Sequence, residues 1–478
     1  MLFNSFAFAV FLLIVFAFYW LLPHKYRWWL MLLASYYFYM SWNFKYVVLI
    51  LFTTIISYVA ARLLDSQNDK RKKKVILVTV ALLCLGVLFF FKYFNFVSDS
   101  LVGMLGVFAI QLDPITLNIL LPVGISFYTF QTLGYVIDVY KGGPAEKHFG
   151  YYATFISFFP QLVAGPIERT RNLLPQIKQK HTFNYEQATY GLKLMAWGFF
   201  KKIVIADTLS KYVSIVYDSP QNFSGFALVL ATLFFTLQIY CDFSGYSDIA
   251  IGTAKLLGIN LMTNFKSPYF SQSVKEFWSR WHISLSTWFK DYVYIPLGGN
   301  RVGKLRHTMN LMFTFFISGL WHGANWTFVV WGGVHGVAIA IENILVPKDK
   351  QKSNGLIRWL RIILVFVFTS FAWIIFVSNS ISGAWYVITH WWLGIMSPES
   401  YLKQGFFGIG LEKIDLVFLI PSLIFLLIYD YISLKTDVIL LISSKKIFVR
   451  WVIYIIIVVW ILMMVPVNNS GEFIYFQF

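Results

Sequence analysis

His322 stands where an ionisable ring is costly. His322 lies in Phe315-Phe316-Ile317-Ser318-Gly319-Leu320-Trp321-His322-Gly323-Ala324-Asn325-Trp326, and His282 follows Arg280 and Trp281 in another aromatic stretch. An ionisable side chain in an intramembrane apolar run marks a functional site by default, with a satisfied core ring as the alternative. Desolvation disfavours the imidazolium, so a buried ring tends to be neutral. A neutral imidazole is a competent general base near pH 7. That suits removing a proton from a hydroxyl that attacks an activated acyl group. Asn325 offers an amide that can orient a ring or donate to a developing oxyanion, and equally one that glues helices. His335 shares the hydrophobic segment that follows His322, and for it the core-ring reading is the stronger one. Gly319, Gly323, Gly332, Gly333 and Gly336 surround these rings. They permit close backbone approach, more often for helix packing than for a ligand.

Two further polar clusters interrupt apolar sequence. Gln238 to Asp248 carries Asp242, Ser244, Ser247 and Asp248, which need a cavity or partners. No Ser-His-Asp triad can be read from it. Pro160 to Arg169 carries Gln161, Glu168 and Arg169 and reads as a tight turn at the cytosolic face. A zinc site needs three or four ligands at short local spacings. The chain has neither His-x-x-x-His nor a cysteine pair, so no metal is expected. Cys84 and Cys241 read as small buried hydrophobes.

The elements that must position these residues follow from composition. Of 478 residues, 58% are hydrophobic and 13% charged, about half the charge of a soluble domain. The apolar runs are long and do not alternate, so the chain is expected to be an all-α polytopic membrane protein. Candidate spans are 3–22, 28–42, 45–64, 75–97, 119–140, 186–206, 225–258, 308–321, 325–346, 357–378, 415–432 and 451–466. That makes roughly eleven or twelve crossings at about 20 residues each. The 3–22 segment lacks a basic leader and a cleavage site and reads as a retained first span. Within 150–167, Pro160, Gly165 and Pro166 predict a re-entrant or broken helix, tolerated only inside protein or against a water-filled cavity. The net charge of +17 fits the positive-inside bias and contact with anionic membrane lipid. The basic residues are scattered between spans, which excludes nucleic acid. Lys70 to Lys74, His24 to Arg27, Lys348 to Lys352, and Lys445, Lys446 and Arg450 mark cytosolic loops, which puts the N-terminus and the 98–118 loop outside.

The region 259–306 is too polar to cross lipid as one helix. Ser273 with Glu276 predicts a capping box. From there Phe277, Trp278, Trp281, Leu285, Trp288, Phe289 and Tyr292 recur at helical spacing, and Lys275, Ser279, His282 and Ser286 form a polar stripe. The pattern predicts one amphipathic helix in the interface, ended by Ile295 to Asn300.

Phe277 to Ser286, followed by Leu320-Trp321-His322-Gly323, resembles the signature of the membrane-bound O-acyltransferases. Gln161 to Arg169, Asp242 to Asp248, Tyr294 to Arg301 and the terminal Phe473 to Phe478 resemble the polysaccharide branch, which serves O-acetylation of alginate, peptidoglycan and cellulose. The likeness covers nearly the whole chain as a single integral-membrane domain, with its signature core at about 235–346. It implies a ring of helices around a central funnel. It also implies His322 and His282 as the catalytic pair, supported by Asn325, Asp242, Ser244, Arg280, Trp281 and Trp321. By the same likeness the acyl donor is acetyl-CoA, used as a substrate. The partner is an extracytoplasmic SGNH-type acetyltransferase or a similar acetylation subunit, and the site of action is the bacterial cytoplasmic (inner) membrane.

Two alternatives stay open: D-alanyl transfer to teichoic acid, disfavoured by the Tyr294 to Arg301 sequence, and a channel or transporter with a polar buried path. A scaffold that merely anchors an exported enzyme is a third. Cysteines placed at 70–74 should react with membrane-impermeant maleimide only from the cytosolic side. Labelling in intact cells would invert the orientation.

Overall fold

A computed structural model describes residues 1–163, 165–346, 354–465 and 473. Lys348 to Lys352 and Ile474 to Phe478 lie outside the described residues. All regular structure among the described residues is helical. The chain forms two compact units: residues 1–191 with 250–262, and residues 192–249 with 263–478.

Seven helices among the described residues are long and apolar enough to cross a membrane: Phe44–Ser66, Lys70–Val107, Phe226–Leu256, Trp326–Leu345, Gly355–Val377, Lys413–Ser433 and Ile447–Met464. Other expected crossings fall on shorter helices, such as Phe6–Leu21, His24–Met40 and Ile125–Tyr140. The Lys304–His322 helix carries Lys304, Arg306, His307 and Asn310 in its first two turns, which lowers its apolar character. Basic residues 70–74 open a helix instead of forming a loop, and the Asp69 side chain caps it by accepting from the Arg71 N–H at 2.7 Å. That helix runs through a π-turn at Phe89–Tyr93 to Val107, so the expected 98–118 loop begins only after Val107.

In the first unit the Ile125–Tyr140 helix is the core, with 13 of its 16 residues buried. It packs between Val47–Ser66 and Lys70–Leu88. The expected break within 150–167 occurs at Phe158, between Phe149–Ser157 and Phe159–Leu162. Backbone groups freed by a break must be satisfied inside the protein. The Phe155 carbonyl accepts from Gln131 Nε2 at 2.7 Å and Gln161 Nε2 at 3.0 Å, and the Phe159 N–H donates to Ser35 Oγ at 3.0 Å. Glu168, expected at a tight turn, is buried. It accepts from the Met262 N–H and from Asn172 Nδ2, and burial pushes its carboxyl up to about 7.

In the second unit the enclosed element is the part of Phe226–Leu256 up to Ile249. An 18-residue apolar window of that helix is 72% buried, whereas the window of Ile447–Met464 has no buried residue. The expected amphipathic helix from Ser273 is broken. It ends at Arg280, Trp281 is extended, His282 is left-handed at φ 43°, and helix resumes over Ile283–Phe289. The capping box forms: Ser273 Oγ accepts from the Glu276 N–H at 3.0 Å, and Glu276 reaches back to the Gln272 N–H at 2.7 Å.

Helices Lys304–His322 and Trp326–Leu345 form a tight antiparallel hairpin. A Cβ on Gly319 would lie 2.2 Å from the Phe328 carbonyl oxygen, and one on Gly332 would lie 2.3 Å from that of Phe315. These glycines therefore serve packing. Gly332→Ala should cost about 1–3 kcal/mol as the backbones are pushed apart. Thermal unfolding in detergent checks this, and an unchanged midpoint would refute so close a contact.

Candidate active site

Two helices of the second unit carry the histidine pair. His322 is the last residue of Lys304–His322, and Gly323 turns the chain away. A Cβ on Gly323 would fall 2.0 Å from the Phe328 ring, so only glycine lets this turn close. His282 sits at the start of Ile283–Phe289 and makes no side-chain cap. Both rings are buried, at 3% and 0% exposure. Their centroids lie 6.5 Å apart with a 58° tilt.

Aromatic rings wall the pair. Trp321 lies 5.9 Å from His282 and 5.0 Å from His322. Phe243 meets His282 edge-on at 4.6 Å. Trp331 and Phe376 meet His322 edge-on at 5.1 and 5.5 Å. Trp373 stacks on Trp331 at 5.5 Å and also contacts Trp281. Sequence reasoning missed Phe243, Trp331, Trp373 and Phe376, which are inconspicuous in a chain that is 20% aromatic.

The two histidines differ electrostatically. His322 ends a helix, where the carbonyl dipoles favour positive charge. His282 begins one, where the dipole opposes it, and burial pushes its imidazolium down to about 3. The two rings thus sit at opposite kinds of helix end.

His282 keeps a left-handed backbone, a conformation that costs a non-glycine residue about 1–3 kcal/mol unless its surroundings hold it. Asn264 is the holder, and sequence reasoning missed it. Its carbonyl accepts from the Ile283 N–H at 2.9 Å. Its Oδ1 accepts from the Ser284 N–H and hydroxyl at 3.2 and 2.9 Å, and its Nδ2 donates to Ser247 Oγ at 3.3 Å. One fully buried amide thereby caps the helix that His282 leaves uncapped.

Of the other expected residues Trp321 contacts both rings, and the rest engage partners of their own. Asn325 caps Trp326–Leu345, accepting from the Thr327 N–H at 3.0 Å and donating to the Asn379 carbonyl at 3.1 Å. Arg280 pairs with Glu276 at 2.7 Å. Trp281 is fully buried against Phe277 and Phe265. Asp242 and Ser244 find partners that the sequence did not announce. Lys202 bridges Asp242 at 2.6 Å and Asp207 at 2.8 Å, while Lys201 reaches Asp248 at 2.7 Å and Ser244 Oγ at 2.8 Å. Both lysines lie on a π-turn, Phe200–Ala206. This network welds that turn to Phe226–Leu256 where Gly198 and Gly245 meet at backbone contact. Removing one partner from such a buried network costs about 3–5 kcal/mol.

His335 is a core ring, in line with the stronger of its two expected readings: Nδ1 accepts from Trp278 Nε1 at 3.2 Å. No group of three or more His, Cys, Asp or Glu among the described residues is placed to hold a metal. Of the terminal motif only Phe473 is described, and it packs on Phe243 and Tyr246 at 5.7 and 4.5 Å.

Residues 146–382 match the model of the membrane-bound O-acyltransferase family. A protein of Azotobacter vinelandii described as probable alginate O-acetylase AlgI is 41% identical over 388 residues, 80% of this chain and 77% of its own. A peptidoglycan O-acetyltransferase of Helicobacter pylori is 34% identical over 381 residues, covering 74% and 71%. A teichoic acid D-alanyltransferase of Streptococcus thermophilus is 29% identical over 301 residues, covering 57% and 72%.

Asn264→Ala removes the acceptor from the Ser284 N–H and hydroxyl. It should cost about 1–3 kcal/mol, the penalty for unsatisfied buried donors. Chemical unfolding in detergent measures it, and a wild-type midpoint would mean that something else holds His282.

Proposed function

Because the chain belongs to the membrane-bound O-acyltransferase family and is an O-acyltransferase, we propose that it moves acetyl groups from cytosolic acetyl-CoA across the bacterial cytoplasmic membrane for O-acetylation of an extracytoplasmic polysaccharide. The observation that carries this reading is the pair of buried histidines, 6.5 Å apart in an aromatic box. Acetyl over D-alanyl transfer is supported by the greater identity of the acetylating relatives and the larger share of this chain that they cover.

The problem to be solved is topological. The thioester is made in the cytosol and the glycan lies outside, while the nucleotide of the donor is too charged to enter lipid. The pantetheine arm therefore carries the acetyl group to the box from the cytosolic side, and the acceptor hydroxyl arrives from the other. That hydroxyl belongs to an extracytoplasmic SGNH-type acetyltransferase that completes delivery to the glycan. The N-terminus lies outside in this arrangement.

His322 takes the proton of the acceptor hydroxyl as its oxygen attacks the thioester carbonyl. The C–S bond then breaks, and the thiolate leaves with the proton that His322 holds. The neutral His282 ring donates an N–H to the oxyanion that develops in between. A fixed donor in a water-poor site is worth several kcal/mol at that moment. Asn325 has its Oδ1 engaged in helix capping and its Nδ2 donating to the Asn379 carbonyl, which favours His282 over Asn325 in that role. Trp321 spaces the two rings.

His322→Ala should insert and fold normally while acetyl transfer in membrane vesicles, with the partner present, falls about 10²–10⁴-fold. Wild-type rates in that variant would overturn the mechanism.

A further inference from the structure

Away from the histidine box, the second unit holds a cavity of about 170 Å³ between Leu192 and Val458. Its lining is apolar, including Ala196, Trp197, Phe425, Ile442 and Tyr454. Trp197 and Tyr429, both lining it, stack face to face at 4.0 Å. Two of the helices that form it, Lys413–Ser433 and Ile447–Met464, are candidate spans, and the second buries none of its apolar window. The cavity therefore opens beside a lipid-facing helix.

The cavity is edged by cations. Lys193 Nζ, 5.5 Å from the Tyr454 ring, donates to Ser443 Oγ at 2.8 Å, and Arg450 Nη1 donates to the Ser443 carbonyl at 3.2 Å. Two positive charges thus converge on one serine, and neither pairs with a carboxylate among the described residues. Lys445 and Lys446 add charge close by in sequence. The Tyr454 hydroxyl and Arg450 Nε are enclosed and have no hydrogen-bond partner among the described residues. Unneutralised cations and an unused hydroxyl at an apolar slot call for a ligand with an anionic, hydrogen-bond-accepting head and a hydrocarbon tail.

We propose that this slot is a specific site for an anionic glycerophospholipid. One acyl chain lies against Trp197, Ala196 and Ile442, and the phosphate pairs with Lys193 and Arg450. A free anion would use the cations but leave the apolar slot empty, and a neutral lipid would fill the slot but leave the cations unpaired.

The test uses the full chain in neutral detergent. Native mass spectrometry compares bound phosphatidylglycerol and phosphatidylcholine with identical acyl chains. Phosphatidylglycerol should be retained about tenfold more, in keeping with two basic contacts. Lys193→Gln with Arg450→Gln should lower it to the phosphatidylcholine level, and Ala196→Phe should lower both lipids. Should Ala196→Phe fail to fold, the paired glutamine variant, altered only at the rim, still decides. Equal retention of the two lipids by the wild type, undiminished preference in the glutamine variant, or displacement of phosphatidylglycerol by glycerol 3-phosphate alone would each overturn the site.

Discussion

A polar group inside an apolar helix bundle has no water to fall back on, so the protein itself must supply each of its partners. The second unit is organised around that constraint. The left-handed turn at His282 breaks a helix and frees backbone donors, and Asn264 takes them up. Asn264 is anchored in turn to Ser247, on the helix that carries Asp242 and Asp248. Those carboxylates need counter-ions, and Lys201 and Lys202 provide them from a π-turn. Each solution of one burial cost ties another element to the histidine pair.

The aromatic box is the complementary device. Phe243 meets His282 edge-on, and Trp321, Trp331 and Phe376 meet His322 edge-on. A low-dielectric surrounding strengthens any dipole aimed at a reacting atom. It also lets helix ends matter, because their fields are not screened as they are in solution. Two identical side chains thereby acquire unlike characters from the helix termini on which they sit.

Much of this was legible from residue types. Long unalternated apolar runs required helices. Pro160 with Gly165 and Pro166 located the break near Phe158, Ser273 with Glu276 formed the expected cap, and the cost of burying an ionisable group singled out His322. The glycines near it read correctly as packing positions. Helical periodicity misled at Trp281–His282, where aromatic residues continue on both sides of the break. In a bundle that is apolar on lipid-facing and protein-facing surfaces alike, spacing distinguishes the two poorly.

The sequence by itself determined the class of molecule, the membrane setting and His322 as an ionisable ring in an apolar run, because burial cost is a property of single side chains and their neighbours in the chain. Only the tertiary structure decided that Asn264 holds His282, that Lys201 and Lys202 neutralise Asp248 and Asp242, and that Trp331 and Phe376 wall His322. Those pairings join residues far apart in the chain, and no local pattern encodes which buried charge meets which counter-ion. Capping and neutralisation are settled by distance and direction in space, and these exist only once the helices have packed.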